Sequence, residues 1–218
     1  SIRRQRQMCI RDSFHTLDLQ LFLLNDGFLI LGIYQINFLH IFLVIDCQYK
    51  NIQFYFDVGS PTAYLAYHRL DQIKNIYDFD LQFIPILLGG VFKSTGNSSP
   101  AMVPAKGQYM GKFDLPRFAK LYGVPLNLNP HFPINTLTLM RRAVFAQQND
   151  ILERYLDAVF ESIWVHKKNL GVLDEVLATL EAADLNGPEI VEATKVQDIK
   201  NVLIANTDNV GSVSYTHL

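Results

Sequence analysis

A chain of 218 residues, 49% of them hydrophobic, is long and apolar enough to bury a substantial core, which excludes a disordered tail. Its formal net charge of −2 argues against a general binder of nucleic acid or of anionic membranes, so we expect small-molecule or protein partners. Both cysteines, Cys9 and Cys47, precede residue 51. The remainder of the chain can therefore form neither a disulfide nor a cysteine metal site, and we expect no bound metal. The lack of disulfides fits a reducing, cytoplasmic location.

Residues 1–50 differ in character from the rest of the chain. Residues 1–13 are a basic, polar run without periodicity, and residues 27–45 contain no Lys, Arg, Asp or Glu. The second stretch is long enough to span a bilayer, although Gln35, Asn37 and His40 interrupt it. We expect residues 1–50 to be a non-native translated segment, like the short tail at residues 211–218. A membrane anchor and an extra packed element are the alternatives.

Residues 53–58, QFYFDV, are aromatic and β-branched without a breaker, which predicts a buried strand. Gly59 ends this strand, Ser60 is a favourable N-cap, and Pro61 suits the first position of a helix that we end near residue 77. A second strand is predicted over residues 79–85. A helix between the two strands makes a right-handed, parallel βαβ unit, which places Ser60 at the ligand-binding end of the first strand.

Ser60 has two interpretations. It is either a capping residue and nothing more, or a hydroxyl that donates a hydrogen bond to a thiolate bound at the positive end of the helix. Thioredoxin-like proteins carry C-P-x-C in such a turn, where this chain has Ser60, Pro61, Thr62 and Ala63. Dithiol exchange is therefore excluded here, and glutathione is the obvious external thiol.

The chain becomes helical from residue 87 to about residue 203. A loop rich in Ser, Gly, Asn and Pro is expected over residues 93–104, where a plain connection and a binding element are both open. Amphipathic helices are predicted over residues 108–121, 135–147, 151–165 and 173–183, with a last helix over residues 196–209.

Four motifs, FYFDVGSPTAYLAYHRL, LLGGVFKSTGN, VPAKGQYM and DLPRFAKLYGVP, occur in order between residues 51 and 210. Together they resemble the family of 2-hydroxychromene-2-carboxylate isomerases and kappa-class glutathione transferases, within the DsbA-like thioredoxin superfamily. The resemblance implies an α/β domain at residues 51–210 with a DsbA-like thioredoxin fold and a helical insertion at about residues 88–195. The family's last two strands and final helix are not found, so a two-stranded sheet with an open edge is expected.

The resemblance implies an enzyme in which glutathione acts on a small aromatic substrate, without nucleic acid or membrane as a partner. We expect a glutathione-dependent isomerase of aromatic degradation intermediates, with a kappa-class-like transferase as the alternative and a redox-inactive thioredoxin-like binding module as the second. The implied catalytic residue is Ser60, and Asn97 and Lys106 match residues that hold glutathione. Tyr109 is a further candidate for glutathione binding, although a helical aromatic residue is more often part of the core. A homodimer stays open.

Overall fold

The computed structural model describes residues 20–23, 28–32, 42–46, 51–74, 76–77 and 79–214, and side chains only between residues 51 and 210. The predicted basic run at residues 1–13 and the last four residues of the predicted tail lie outside the described residues. The described strands form one five-stranded sheet in chain order. They are β1 (Gln20–Leu23), β2 (Phe28–Gly32), β3 (Phe42–Asp46), β4 (Asn51–Phe56) and β5 (Asp80–Pro85).

The predicted βαβ unit is confirmed. β4 and β5 pair in parallel, from Asn51 opposite Asp80 to Phe56 opposite Pro85, and α1 (Pro61–Lys74) connects them. Alternate residues of β4 point into the core, where Ile52, Phe54 and Phe56 are buried. These side chains thus belong to the same core cluster as the buried residues of α1.

The expectation of a two-stranded sheet with an open edge is wrong for the full chain. β3 pairs antiparallel with β4 on the side away from β5, and β1 and β2 extend the sheet further. The sequence of β3, FLVID, has the β-branched and aromatic character that favours such pairing. Among the described residues, the structure contains no helix that is both long and apolar enough to cross a membrane.

The helices that follow β5 occupy the stretch in which a helical insertion was predicted. A 3₁₀ turn (Pro100–Met102) precedes α3, and a π-helical turn (Met110–Asp114) joins α3 to α4. The described helices after α1 are α2 (Leu88–Thr95), α3 (Pro104–Tyr109), α4 (Leu115–Tyr122), α5 (Leu137–Gln148), α6 (Leu152–Trp164), α7 (Leu173–Ala182), α8 (Gly187–Ala193) and α9 (Gln197–Ser214).

Several predicted boundaries are wrong. The first predicted strand ends at Phe56 instead of residue 58, and α1 ends at Lys74 instead of near residue 77. The expected loop at residues 93–104 begins later, because α2 continues to Thr95. The helix expected from residue 108 starts at Pro104, a residue that is well suited to the first helical turn because it needs no N–H partner there. The last helix continues to Ser214, past its expected end at residue 209 and into the predicted tail.

The first helix is fixed on several sides by its aromatic residues. The Tyr64 hydroxyl donates to the carbonyl of Pro125 at 2.6 Å, and the Tyr67 hydroxyl donates to Asp157 Oδ1 on α6 at 2.7 Å. The Tyr67 ring also packs against Phe83 of β5 and Phe160 of α6. These contacts hold the start of α1, and with it Ser60, in one place.

His68 lies half-buried on α1 beside this aromatic cluster. Its ring packs edge-on against Tyr64, with the ring centroids 4.7 Å apart, and against Tyr67. Burial lowers the pKa of His68 from its ordinary value of 6.5, while the nearby carboxylates of Asp157, Asp71 and Glu161 oppose that shift. The folded protein therefore prefers a neutral His68.

We expect acid to weaken the fold partly through His68. The pKa of His68 is lower in the folded than in the unfolded chain, so below pH 6.5 the folded chain binds fewer protons. The free energy of unfolding is therefore highest above pH 6.5 and decreases as the pH falls through the folded-state pKa of His68. Urea unfolding of wild type and His68→Phe between pH 5 and pH 8 measures this. The variant keeps an aromatic ring but should lose less stability on acidification. Identical pH profiles would contradict the assignment.

Candidate active site

The turn between β4 and α1 presents the hydroxyl of Ser60 at the start of the helix. The Ser60 N–H donates to the Asp57 carbonyl at 2.9 Å, which closes the turn. The Ala63 N–H donates to Ser60 Oγ at 3.2 Å, so Ser60 is the helix N-cap, as predicted. Ser60 is 8% exposed. Its hydroxyl is therefore held in place, and it lies where the positive end of the helix dipole favours negative charge.

Thr62 is a second hydroxyl at this turn that sequence reasoning missed. Thr62 Oγ1 lies 3.0 Å from Ser60 Oγ, and the Thr62 side chain has no exposed surface. A hydroxyl two residues after an N-cap serine was the available signal. The turn therefore carries a pair of hydroxyls, of which Ser60 is the nearer to solvent.

Asp57 holds the turn and was also missed. Its Oδ1 accepts the Gly59 N–H at 2.9 Å, while its Oδ2 accepts the Leu88 N–H at 2.9 Å and the Thr136 hydroxyl at 3.0 Å. Burial raises the pKa of Asp57, and these three hydrogen bonds oppose that rise. The carboxyl group joins the end of β4 to the starts of α2 and α5.

The backbone around the turn is closely packed. A Cβ placed on Gly59 would lie 2.7 Å from Thr136 Cγ2, so only glycine fits there without a shift of that side chain. On the other side, the Trp164 ring N–H donates to the Val58 carbonyl at 3.0 Å. Trp164 is buried and also packs against the ring of Phe132.

Ser60 lines an open cleft of about 450 Å³, a volume that includes the solvent at the entrance of the cleft. Apart from the serines, the side chains at its surface are apolar, which favours a ligand with an apolar part. The ten lining residues come from the turn, from α2, from the 3₁₀ segment and from two further positions: Gly59, Ser60, Pro61, Leu88, Phe92, Ser99, Pro100, Ala101, Met110 and Phe132.

None of the three predicted glutathione residues lines this cleft. Asn97 is exposed just after α2, where its amide donates weakly to Thr95 Oγ1 at 3.4 Å. Lys106 is partly buried on α3, and Tyr109 is 42% exposed at the end of α3, packed on the ring of Phe113. The structure thus places Ser60 in the cleft, while the other three candidates lie in the chain just before and just after the lining residues 99–101.

This arrangement can bind and stabilise an anion, and it carries no thiol of its own, because none of the lining residues is a cysteine. Within the described part of the chain, no group of three or more His, Cys, Asp or Glu residues could hold a metal ion. A hydroxyl donor at a helix N-terminus suits a thiolate or an oxyanion in the cleft.

Comparison with known proteins places the chain in a family. Residues 51–215 match the family model of the DSBA-like thioredoxin domain. The chain is 30% identical to glutathione S-transferase kappa 1 of Rattus norvegicus over 141 residues, which are 62% of this chain and 62% of that protein. It is 32% identical to 2-hydroxychromene-2-carboxylate isomerase of Pseudomonas sp. (strain C18) over 126 residues, 56% of this chain and 57% of that protein.

A solved structure of a 2-hydroxychromene-2-carboxylate isomerase matches with a TM-score of 0.66 at 22% sequence identity. The matched region is 74% of this chain and 79% of the isomerase chain. The predicted DsbA-like thioredoxin fold and the family resemblance are confirmed. The chain spans less than two thirds of the rat transferase and of the Pseudomonas isomerase.

We expect Asp57→Asn to destabilise the fold by about 1–3 kcal/mol, because whichever way the amide turns, its NH₂ group meets another donor. Thr136→Val removes one donor and leaves both backbone N–H bonds, so its effect should be smaller. Thr138→Val, at an exposed position of the same helix, is the control. Urea unfolding ranks the three. An Asp57→Asn variant as stable as wild type would show that the carboxyl group does not hold the turn.

Proposed function

The chain belongs to the DSBA-like thioredoxin domain family, and from this membership we propose that it is a glutathione-dependent isomerase of aromatic degradation intermediates. The observation that carries the proposal is the Ser60 hydroxyl, which caps α1, faces an apolar cleft and occupies the place of the attacking cysteine in redox-active thioredoxin-like proteins. The relative named glutathione S-transferase kappa 1 supports glutathione as the thiol, and the relative named 2-hydroxychromene-2-carboxylate isomerase supports isomerisation as the reaction.

Ser60 would act on the glutathione sulfur by hydrogen bonding rather than by proton transfer. A serine hydroxyl does not ionise near neutral pH, but it can donate to a thiolate, and the α1 dipole adds to that stabilisation. The ionised sulfur adds to a conjugated carbon of the substrate, and the electron pair moves into the conjugated system. The former double bond then rotates, and elimination returns both the electron pair and the thiolate.

Asn97 and Lys106 would contact the tripeptide away from its sulfur. An ammonium group suits a carboxylate of glutathione, and an amide can both donate to and accept from a peptide backbone. Both residues border the 3₁₀ segment that lines the cleft, which supports this role. Tyr109, with its ring partly exposed, is the third proposed contact.

The second candidate function is glutathione transfer, which the similarity to the rat kappa transferase favours. The chemistry differs in its last step. An isomerase regenerates free glutathione, whereas a transferase leaves the sulfur bonded to the product. A titration of free thiol during turnover of a conjugated aromatic electrophile separates the two. Absence of any glutathione affinity in isothermal titration would instead favour a binding module in which Ser60 is only a cap.

We expect Ser60→Ala to raise the thiol pKa of bound glutathione by about one to two units. This rise corresponds to the free energy of one hydrogen bond to a charged group. Turnover should fall much more than binding, because the lost bond stabilises the reacting sulfur. Ultraviolet absorbance of the thiolate against pH measures the shift.

Ser99→Ala is the matched control for that titration, since Ser99 lines the same cleft but makes no side-chain cap at its own helix. It should leave the thiol pKa close to the wild-type value. An unchanged pKa in Ser60→Ala, or an equal rise in Ser99→Ala, would show that Ser60 has no specific role beyond capping.

Asn97→Ala and Lys106→Ala should chiefly raise the KM for glutathione, because the proposed contacts are formed before and during the reaction alike. Lys120→Ala, at an exposed position on α4, should not change KM and serves as the control. Steady-state kinetics with glutathione as the varied substrate provide the test. Losses confined to kcat would contradict binding through these two side chains.

A further inference from the structure

The hydroxyl of Thr62 has no role so far, and it is the most completely buried polar group at the site. The Thr62 side chain has no exposed surface, so its hydroxyl cannot donate a hydrogen bond to bulk water. Among the described residues, the one hydrogen bond recorded for this hydroxyl joins it to Ser60 Oγ, at 3.0 Å. The direction of that bond decides where the proton of Ser60 points.

The two possible directions differ in cost. If Ser60 donated to Thr62, the proton of Thr62 would be buried without an acceptor, which typically costs about 1–3 kcal/mol. Among the described residues, the Thr62 hydroxyl forms no hydrogen bond to a backbone carbonyl, including the carbonyls three and four residues earlier that a threonine in the first turn of a helix can use. Donation from Thr62 to Ser60 leaves no such buried proton.

If Thr62 is the donor, the hydrogen bonds of Ser60 follow from its one donor proton and its two acceptor lone pairs. A hydroxyl oxygen has two acceptor sites, and here they are taken by the Ala63 N–H at 3.2 Å and by the Thr62 hydroxyl. The remaining group is the proton of Ser60 itself. Ser60 lines the cleft, so that proton is directed to whatever occupies the cleft.

We propose that Thr62 is a positioning residue that donates its proton to Ser60 Oγ and thereby directs the Ser60 proton towards the sulfur of bound glutathione. The inference rests on the proposed function. Donation from Thr62 also polarises the Ser60 hydroxyl, which makes Ser60 a stronger donor than an isolated serine. Thr62 thus acts through Ser60 and need not touch the ligand.

The test compares Thr62→Val and Thr62→Ser in the full chain, with glutathione as the probe. Valine is close to threonine in shape but has no hydroxyl, so Ser60 loses a donor and becomes free to turn. The thiol pKa of bound glutathione should rise by about one unit, a roughly tenfold smaller thiolate-to-thiol ratio. Serine restores the hydroxyl and should restore the wild-type pKa.

A double variant makes the result specific. In Ser60→Ala the Thr62 hydroxyl has nothing to act on, so adding Thr62→Val should not change the thiol pKa further. A threonine with a merely structural role would lower the melting temperature without this dependence on Ser60. Thr62→Ala is the second variant if Thr62→Val does not fold, and circular dichroism checks each fold.

The outcomes separate this inference from the function on which it rests. If Ser60→Ala raises the thiol pKa but Thr62→Val does not, the role of Thr62 is overturned and the proposed function stands. If Thr62→Val raises the pKa equally with and without the Ser60 hydroxyl, the role is also overturned. If the wild-type chain neither binds glutathione nor lowers its thiol pKa, both the function and the inference are overturned.

Discussion

The site depends on the hydrogen bonds of one buried carboxyl group. Asp57 accepts from the N–H of Gly59, the N–H of Leu88 and the hydroxyl of Thr136, which belong to three separate parts of the chain. Burial without these donors would be costly for a carboxylate, and the donors would be unsatisfied without the carboxylate. The constraint is therefore mutual, and it fixes the turn that carries Ser60 to both α2 and α5.

A fixed turn matters because the chain supplies surroundings rather than a nucleophile. The cleft carries hydroxyls, a helix end and apolar side chains, and none of its lining residues can serve as the attacking thiol. Stabilisation of a bound thiolate requires hydrogen-bond donors that are already oriented towards it. If the donors had to reorient during the reaction, the free-energy cost of that reorientation would offset the stabilisation. Close packing of Gly59 against Thr136 and the bond from Trp164 to Val58 provide that rigidity.

Sequence patterns predicted what is local in this fold. β4, the N-cap Ser60 and the crossover helix follow from residues within about twenty positions of one another, and all three are confirmed. The bond between Asp57 and Thr136 spans 79 residues and has no local signature, so it was missed. The pairing of β3 with β4 was missed because a resemblance confined to residues 51–210 carries no information on strands that precede it.

The wall of the cleft links Ser60 to the proposed glutathione contacts. A Cβ on Gly107 would lie 2.8 Å from the carbonyl oxygen of Ala101, so α3 packs with its backbone directly against the 3₁₀ segment that lines the cleft. Asn97 precedes that segment and Lys106 adjoins Gly107. The proposed contacts with Asn97 and Lys106 therefore require a ligand that extends from Ser60 past Ala101. The proposed glutathione, an elongated tripeptide with its thiol near the middle, can extend in this way.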